Sequence, residues 1–180
     1  MAYNPLEVAN YFLELGRVDG IPIDPLKLQK LLYLAHGWHL ATQGEPLLNE
    51  AIEAWPYGPV VPSVYHAFKH FGMKPITTRA GRFNGIDFTL AEFPDGCEHQ
   101  DARAVMKQVW ETHKGMSGLA LSALSHAPGS PWDTVAAEHG GTPRNARISD
   151  DLIDRYFLQQ ARLNAAAPSK AAPPPEPIFD

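Results

Sequence analysis

Cysteine is almost missing from this chain. Cys97 stands alone, so no intrachain disulfide can form and a disulfide-stapled scaffold is excluded. Long apolar runs are missing as well: the longest spans only a few residues, against the roughly 20 that a membrane-crossing helix requires. Met1 to Glu7 lacks a basic stretch followed by an apolar block, which argues against a signal peptide. With the single thiol, that points to a soluble, cytoplasmic protein. The chain also lacks Gly-x-Gly-x-x-Gly, a Walker-type phosphate loop, a Gly-x-Ser-x-Gly elbow and a His-Glu-x-x-His helix. Common routes to dinucleotide, nucleotide, hydrolase and zinc-peptidase chemistry are therefore absent, and the expectation is a protein that is not an enzyme and takes no cofactor. Positive charge is in short supply overall, with 15 Lys and Arg against 20 Asp and Glu for a net −5. That balance argues against nonspecific nucleic-acid binding, which depends on neutralising phosphates. The one local exception is the interval between Glu53 and Asp87, which has no carboxylate while Lys69, Lys74, Arg79 and Arg82 contribute positive charge. It reads either as an uneven solvated face or as a basic margin for an acidic partner.

What is present is enough for one globular domain. The chain has 180 residues, 44% of them hydrophobic, with 8 Phe, 6 Tyr and 4 Trp to fill a core. Asn4-Pro5 followed by Glu7 predicts a helix start, with Leu6, Ala9, Phe12 and Leu13 at helical spacing and Gly16 as its end. Asp24-Pro25 is a stronger start. Leu26, Leu28, Leu31, Leu32, Leu34 and Ala35 then cover more than half the circumference of a helix that should lie deep in the core and stop near Gly44. Ala51 to Trp55 reads as a short strand entering the rigid turn Trp55-Pro56-Tyr57-Gly58-Pro59, where two prolines fix φ and Gly58 permits a positive one. A third helix should run from Pro62 through Val64, Tyr65, Phe68 and Phe71 to Gly72.

Residues 73 to 94 lose the helical period. Ile86, Phe88 and Leu90 alternate with polar neighbours beyond the Asn84-Gly85 turn signal, which predicts a small β-hairpin. Helical spacing returns in Ala102, Val105, Met106, Val109 and Trp110, with Asp101 as the candidate cap, and again in Leu119, Leu121 and Leu124. Ser130-Pro131-Trp132 and Ser149 open two more helices. From 164 to 180 the chain holds five Ala and five Pro, with only Ile178 and Phe179 as large apolar groups. Such a segment buries too little surface to offset its ordering entropy. The expected organisation is a mainly α, single compact helical domain over 1–163, followed by a disordered Pro/Ala-rich tail over 164–180.

Chemistry-bearing residues are few. Carboxylates flank Cys97 in Asp95-Gly96-Cys97-Glu98 and disfavour a reactive thiolate. His66 and His70 have the i, i+4 spacing that can hold zinc, but no Cys pair or local acidic residue completes a ligand set, so no metal is expected. The aromatic residues say more. Tyr33, Trp38, Trp55, Tyr57 and Tyr65 crowd the stretch from the second helix to the third, and Tyr57 sits between two prolines, where a preorganised ring loses little entropy on binding.

Leu26-Lys27-Leu28-Gln29-Lys30-Leu31-Leu32-Tyr33-Leu34-Ala35, followed by Glu53-Ala54-Trp55-Pro56-Tyr57-Gly58-Pro59-Val60-Val61 and Val64-Tyr65, resembles the Panacea domain of SocA-like antitoxins and phage-associated proteins. Ala9 to Leu13, Leu124-Ser125-His126 and Pro131-Trp132 fit the same pattern, so the resemblance covers roughly residues 5 to 160. It implies an antitoxin that neutralises a cognate toxin, encoded next to it, by direct protein contact. The alternatives it implies are an adaptor delivering a toxin to the ClpXP protease, and a phage protein binding a host factor. It carries over no catalytic residues. On the residues themselves, Lys27, Lys30 and Tyr33 share one broad helix face beside the Trp55–Tyr57 turn. With Tyr57 and Tyr65 they are the expected partner-binding surface, and Trp55 and Pro59 are the expected structural anchors. A second candidate for partner contact is the tail, a polyproline spacer tipped by Ile178-Phe179.

Overall fold

Asp24 and Pro25 start the helix around which the molecule is built. The computed structural model describes residues 2–84, 89–92, 99–141 and 143–166. In it, the Asp24 carboxylate accepts from Lys27 N at 2.8 Å, satisfying one of the free donors of the first turn of α2 (Pro25–Gln43). Gly44, at φ 70°, closes the helix in the left-handed conformation. Leu28, Leu31, Leu32, Ala35 and Leu40 are buried on different sides of α2, as expected of a helix apolar around most of its circumference.

The largest contacts on it come from α1 (Pro5–Asp19), α4 (Gln100–His113), α5 (Gly118–Ser125) and α7 (Asp150–Ala166). The contact with α7 is the most extensive. Gly37 of α2 lies against the ring of Phe157, which leaves no room for a Cβ at position 37. One position earlier, the buried His36 accepts from Leu48 N through Nδ1 at 3.2 Å and donates through Nε2 to Asp150 at 3.1 Å. This hydrogen bond holds the Asp150 carboxyl below its ordinary range.

The remaining elements close the sides of the bundle. β1 (Ile52–Trp55) is central in a three-stranded antiparallel sheet, between β2 (Gly58–Val60) and β5 (Ala146–Ile148). The helix α3 (Pro62–Phe68) follows β2 and runs into a 3-10 turn, Lys69–Phe71. β3 (Gly81–Asn84) pairs antiparallel with β4 (Thr89–Glu92), and α6 (Pro131–Glu138) precedes β5. Two buried side-chain amides clamp loops to helices in the same way. Asn10 accepts from Ala80 N and donates to Ala80 O, while Gln29 accepts from Val61 N at 2.8 Å and donates to Val61 O at 3.2 Å. Each replaces the two hydrogen bonds that a neighbouring strand would have supplied.

The mainly α fold agrees with the sequence reading, and the differences have local causes. α1 does not stop at Gly16, whose missing side chain makes room for Ile21 O and Ile23. It ends at Gly20, where φ is 66°. His99, not Asp101, holds the N-cap position of α4, and Asp101 lies in the first turn. β5 has no counterpart in the sequence reading, because three residues are too few to show a period-2 pattern. The expected hairpin is there as β3 and β4, with Asn84 opposite Thr89. Gly85, Ile86 and Phe88 lie outside the described residues, as do Cys97 and the segment 167–180. α7 continues to Ala166, past the expected domain boundary at residue 163.

Candidate partner-binding surface

Trp55 faces Gly58 across the β1–β2 ladder, so Pro56 and Tyr57 form a two-residue turn. The carbonyls at 55, 57, 59 and 61 alternate along the chain, and each accepts from a side chain of the helical body. Trp132 Nε1 of α6 donates to Trp55 O at 2.7 Å, and Ser122 Oγ of α5 to Tyr57 O at 2.9 Å. Lys30 Nζ of α2 donates to Pro59 O at 3.0 Å, and Gln29 reaches Val61. From Pro59 to Val61 the spacing of two is that of extended backbone, whose successive carbonyls point to opposite sides, while the Trp55 and Tyr57 carbonyls lie on either side of the turn. Gly58 is required twice over: its φ is 103°, and a Cβ there would stand 2.5 Å from Lys30 Nζ and 2.7 Å from Ser125 Oγ.

The pieces named in the sequence as separate landmarks thus meet in space. His126 lies edge-on to Trp132 with ring centroids 3.9 Å apart, and its Nδ1 donates to Ser122 O at 2.6 Å. Ser130 caps α6 and donates to Ser125 O at 2.9 Å, fixing the α5–α6 junction under the turn.

Tyr57 is 73% exposed at the tip of this fixed turn. Trp55 stays half-buried, donating to Glu53 at 2.8 Å and meeting the partly exposed Tyr65 edge-on at 4.8 Å. Pro59 is buried. α5, which holds the Tyr57 carbonyl, also carries Leu119, 72% exposed, and Leu124, likewise exposed. The sequence reading named both leucines only as helix-spaced apolar residues, and Leu124 also within the family pattern, not as contact residues. The available signal was the composition of α5 itself, a helix of eight residues, too short to bury apolar groups on every side.

Three of the expected contact residues are not on the surface. Lys27, Lys30 and Tyr33 are all buried, and the expectation of an exposed face is corrected. Lys27 stretches over the Trp110 ring and donates to Lys114 O at 2.6 Å, and burial lowers its pKa. Lys30 is fully buried with Pro59 O as its acceptor, and burial pushes its ammonium down to about 7. Tyr33 packs edge-on to Phe157 at 5.7 Å. The physical reason is common to both lysines: each long side chain lies in apolar surroundings and ends on a backbone carbonyl brought by another part of the chain. The basic margin is also reduced. Arg79 pairs with Glu14, which Arg17 and Arg79 together hold down at about 2, while Lys69 and Lys74 remain exposed. Among the described residues, no three His, Cys, Asp or Glu side chains converge as a metal site would need.

A family model described as "Antitoxin SocA-like, Panacea domain" matches residues 28–133, a span containing α2 from Leu28 onward, the hairpin, α5 and Trp132. The chain belongs to the SocA-like antitoxin family. It is 39% identical over 162 residues to Antitoxin SocA of Caulobacter vibrioides (strain NA1000 / CB15N), covering 87% of this chain and 84% of that protein. No solved structure matches the chain. The Panacea segment ends one residue after Trp132, so it holds every side chain that fixes the hairpin backbone. Family membership supports an antitoxin role, which is regulatory rather than catalytic, and implies a toxin as partner. No helix among the described residues is long and apolar enough to cross a membrane.

Proposed function

We propose that this protein neutralises a toxin encoded beside it by direct contact, and that the hairpin tip with α5 is the contact surface. The observation that carries this reading is Tyr57, a large aromatic side chain held out in solvent on a backbone tied down by helices on three sides. Ordering loop backbone on binding costs conformational entropy, and a turn already fixed avoids that cost. Tyr is also among the residues that most often dominate interface energy. Leu119 and Leu124 on α5, the helix that holds the Tyr57 carbonyl through Ser122, and Tyr65 beside Trp55 add exposed apolar area. A standard interface of about 1,600 Å² would extend beyond these residues onto the surrounding surface.

The test is growth of cells expressing the adjacent gene's product, with and without this protein. The wild-type chain restores growth, whereas Tyr57→Ala and Leu119→Asp do so at least tenfold less well at unchanged protein level and melting temperature. Equal rescue by both variants would move the contact surface elsewhere. A harmless neighbour would remove the pairing itself and favour a phage protein acting on a host factor. Toxin abundance separates the two modes of neutralisation. A stable complex with undiminished toxin means blocking; toxin loss that depends on ClpXP means delivery to the protease, the adaptor alternative.

A further inference from the structure

A groove of about 900 Å³ runs between α4 and α7, with α2 as its floor. Val105 and Val109 line one wall, Tyr156 and Phe157 the other, and Leu34 and Trp38 the floor. Its size lies in the range of small-molecule sites, about 300–1,000 Å³, and so does its mainly apolar, aromatic-rich lining. Charge is nearly absent: Asp101 is the one carboxylate among the described lining residues, and no Lys or Arg takes part. A charged ligand would lose its hydration there without gaining a counter-charge.

Tyr33 also lines the groove, and its hydroxyl has a second property. It is buried and has no hydrogen-bond partner among the described residues. Leaving such a donor unmet costs about 1–3 kcal/mol, and buried polar groups without partners are rare enough to call for a cause. An acceptor delivered by a bound molecule would supply it. We propose that the groove binds a small, neutral, mainly aromatic or alicyclic molecule carrying one carbonyl-type acceptor, and that binding opens the closed surface over the Tyr33 hydroxyl so that it takes this acceptor as its hydrogen-bond partner. Tyr57 is not among its lining residues, but Leu124 and Ser125 of α5 are, so the groove adjoins the proposed contact surface; the proposal does not depend on the identity of the toxin.

Benzophenone and diphenylmethane make a matched pair of probes, nearly equal in shape and differing in the carbonyl. In heteronuclear NMR titrations of the full chain, both shift the Trp38 indole and the amides around Val105 and Gln160 saturably. Benzophenone binds at least fivefold more tightly. Tyr33→Phe keeps the ring against Phe157, abolishes that preference and leaves the affinity for diphenylmethane unchanged. Val105→Trp fills the groove and weakens both probes at least tenfold. Ultraviolet irradiation with benzophenone attaches the probe to peptides of α2, α4 or α7. Non-saturable shifts, shifts outside the groove, equal affinity of the two probes for the wild type, or a preference that survives Tyr33→Phe would each overturn the proposal. Loss of toxin rescue in Val105→Trp, with neither probe binding the wild type, would overturn it too and make the groove a seat for a protein partner.

Discussion

Lys30 places an amine where the fold offers one carbonyl and no carboxylate among the described residues. Its ammonium is one of the groups a side chain at Gly58 would meet, and its acceptor, Pro59 O, is part of the hairpin that presents Tyr57. Protonation therefore costs more in the folded protein than in the unfolded chain. With a folded pKa of about 7 against an ordinary 10.5, the unfolded state binds more protons between those two values. Stability consequently rises with pH above 7, and the full cost of the buried charge is present below 7. Lys30→Met removes the titrating group at similar volume. Melting curves of the two proteins from pH 6 to 9 should show the wild type gaining on the variant above pH 7. The gain should be at most about 2.7 kcal/mol over two pH units, since one unit corresponds to 1.36 kcal/mol. Parallel profiles would mean that the ammonium is solvated after all. The same residue shows a limit of reading charge from sequence. A lysine is most often a solvated residue, and only the arrival of an acceptor 29 positions away turns it into an internal strut.

Between elements, the closest fit is that of α2 and α7. Adding a Cβ at position 37 drives it into the buried Phe157 ring, so Gly37→Ala should destabilise the fold by about 1–3 kcal/mol despite the better helix propensity of Ala. Chemical denaturation measures this directly. A helix-only view predicts the opposite sign. The amide clamp between α2 and the hairpin is a second element-level device. Gln29→Leu strips two buried backbone groups at Val61 of their partners, and a loss of about 2–6 kcal/mol follows from 1–3 kcal/mol for each group. The His36–Asp150 bond gives the α2–α7 contact an acid limit. Because the Asp150 pKa is lowered in the folded state, its contribution is present above the ordinary value of 3.8 and is lost as pH falls through the lower, folded value. Asp150→Asn should therefore lose stability at neutral pH and show a shallower acid transition than the wild type.

At the scale of the molecule, the buried cluster extends from Val8 to Phe157, and every element that holds the hairpin lies inside those limits. Removing residues 167–180 should leave the melting temperature within about 2 °C of the full chain. In the growth assay the same truncation distinguishes blocking from delivery: rescue persists if contact alone neutralises the toxin, and fails if those residues engage a protease.

Several features could be read directly from the chain. The start and end of α2 are written within its own residues, in Asp24, Pro25 and Gly44. Pro56, Gly58 and Pro59 specify a turn on backbone grounds, and the two blocks that carry the family resemblance are contiguous stretches of sequence. Such features are local, because caps, proline φ and side-chain periodicity act over a few residues. Burial was decided elsewhere. Whether Lys27 and Lys30 face water, whether Leu119 finds a cover and whether the Tyr33 hydroxyl finds an acceptor depend on groups delivered from distant parts of the chain. So does the meeting of Ser122 with Tyr57, 65 positions apart, which turns two sequence landmarks into one surface. The sequence alone determined a helical domain, its family and a rigid aromatic turn. Only the tertiary structure decided which side chains that turn presents to a partner, because solvent exposure is a property of the packed molecule and not of any one segment.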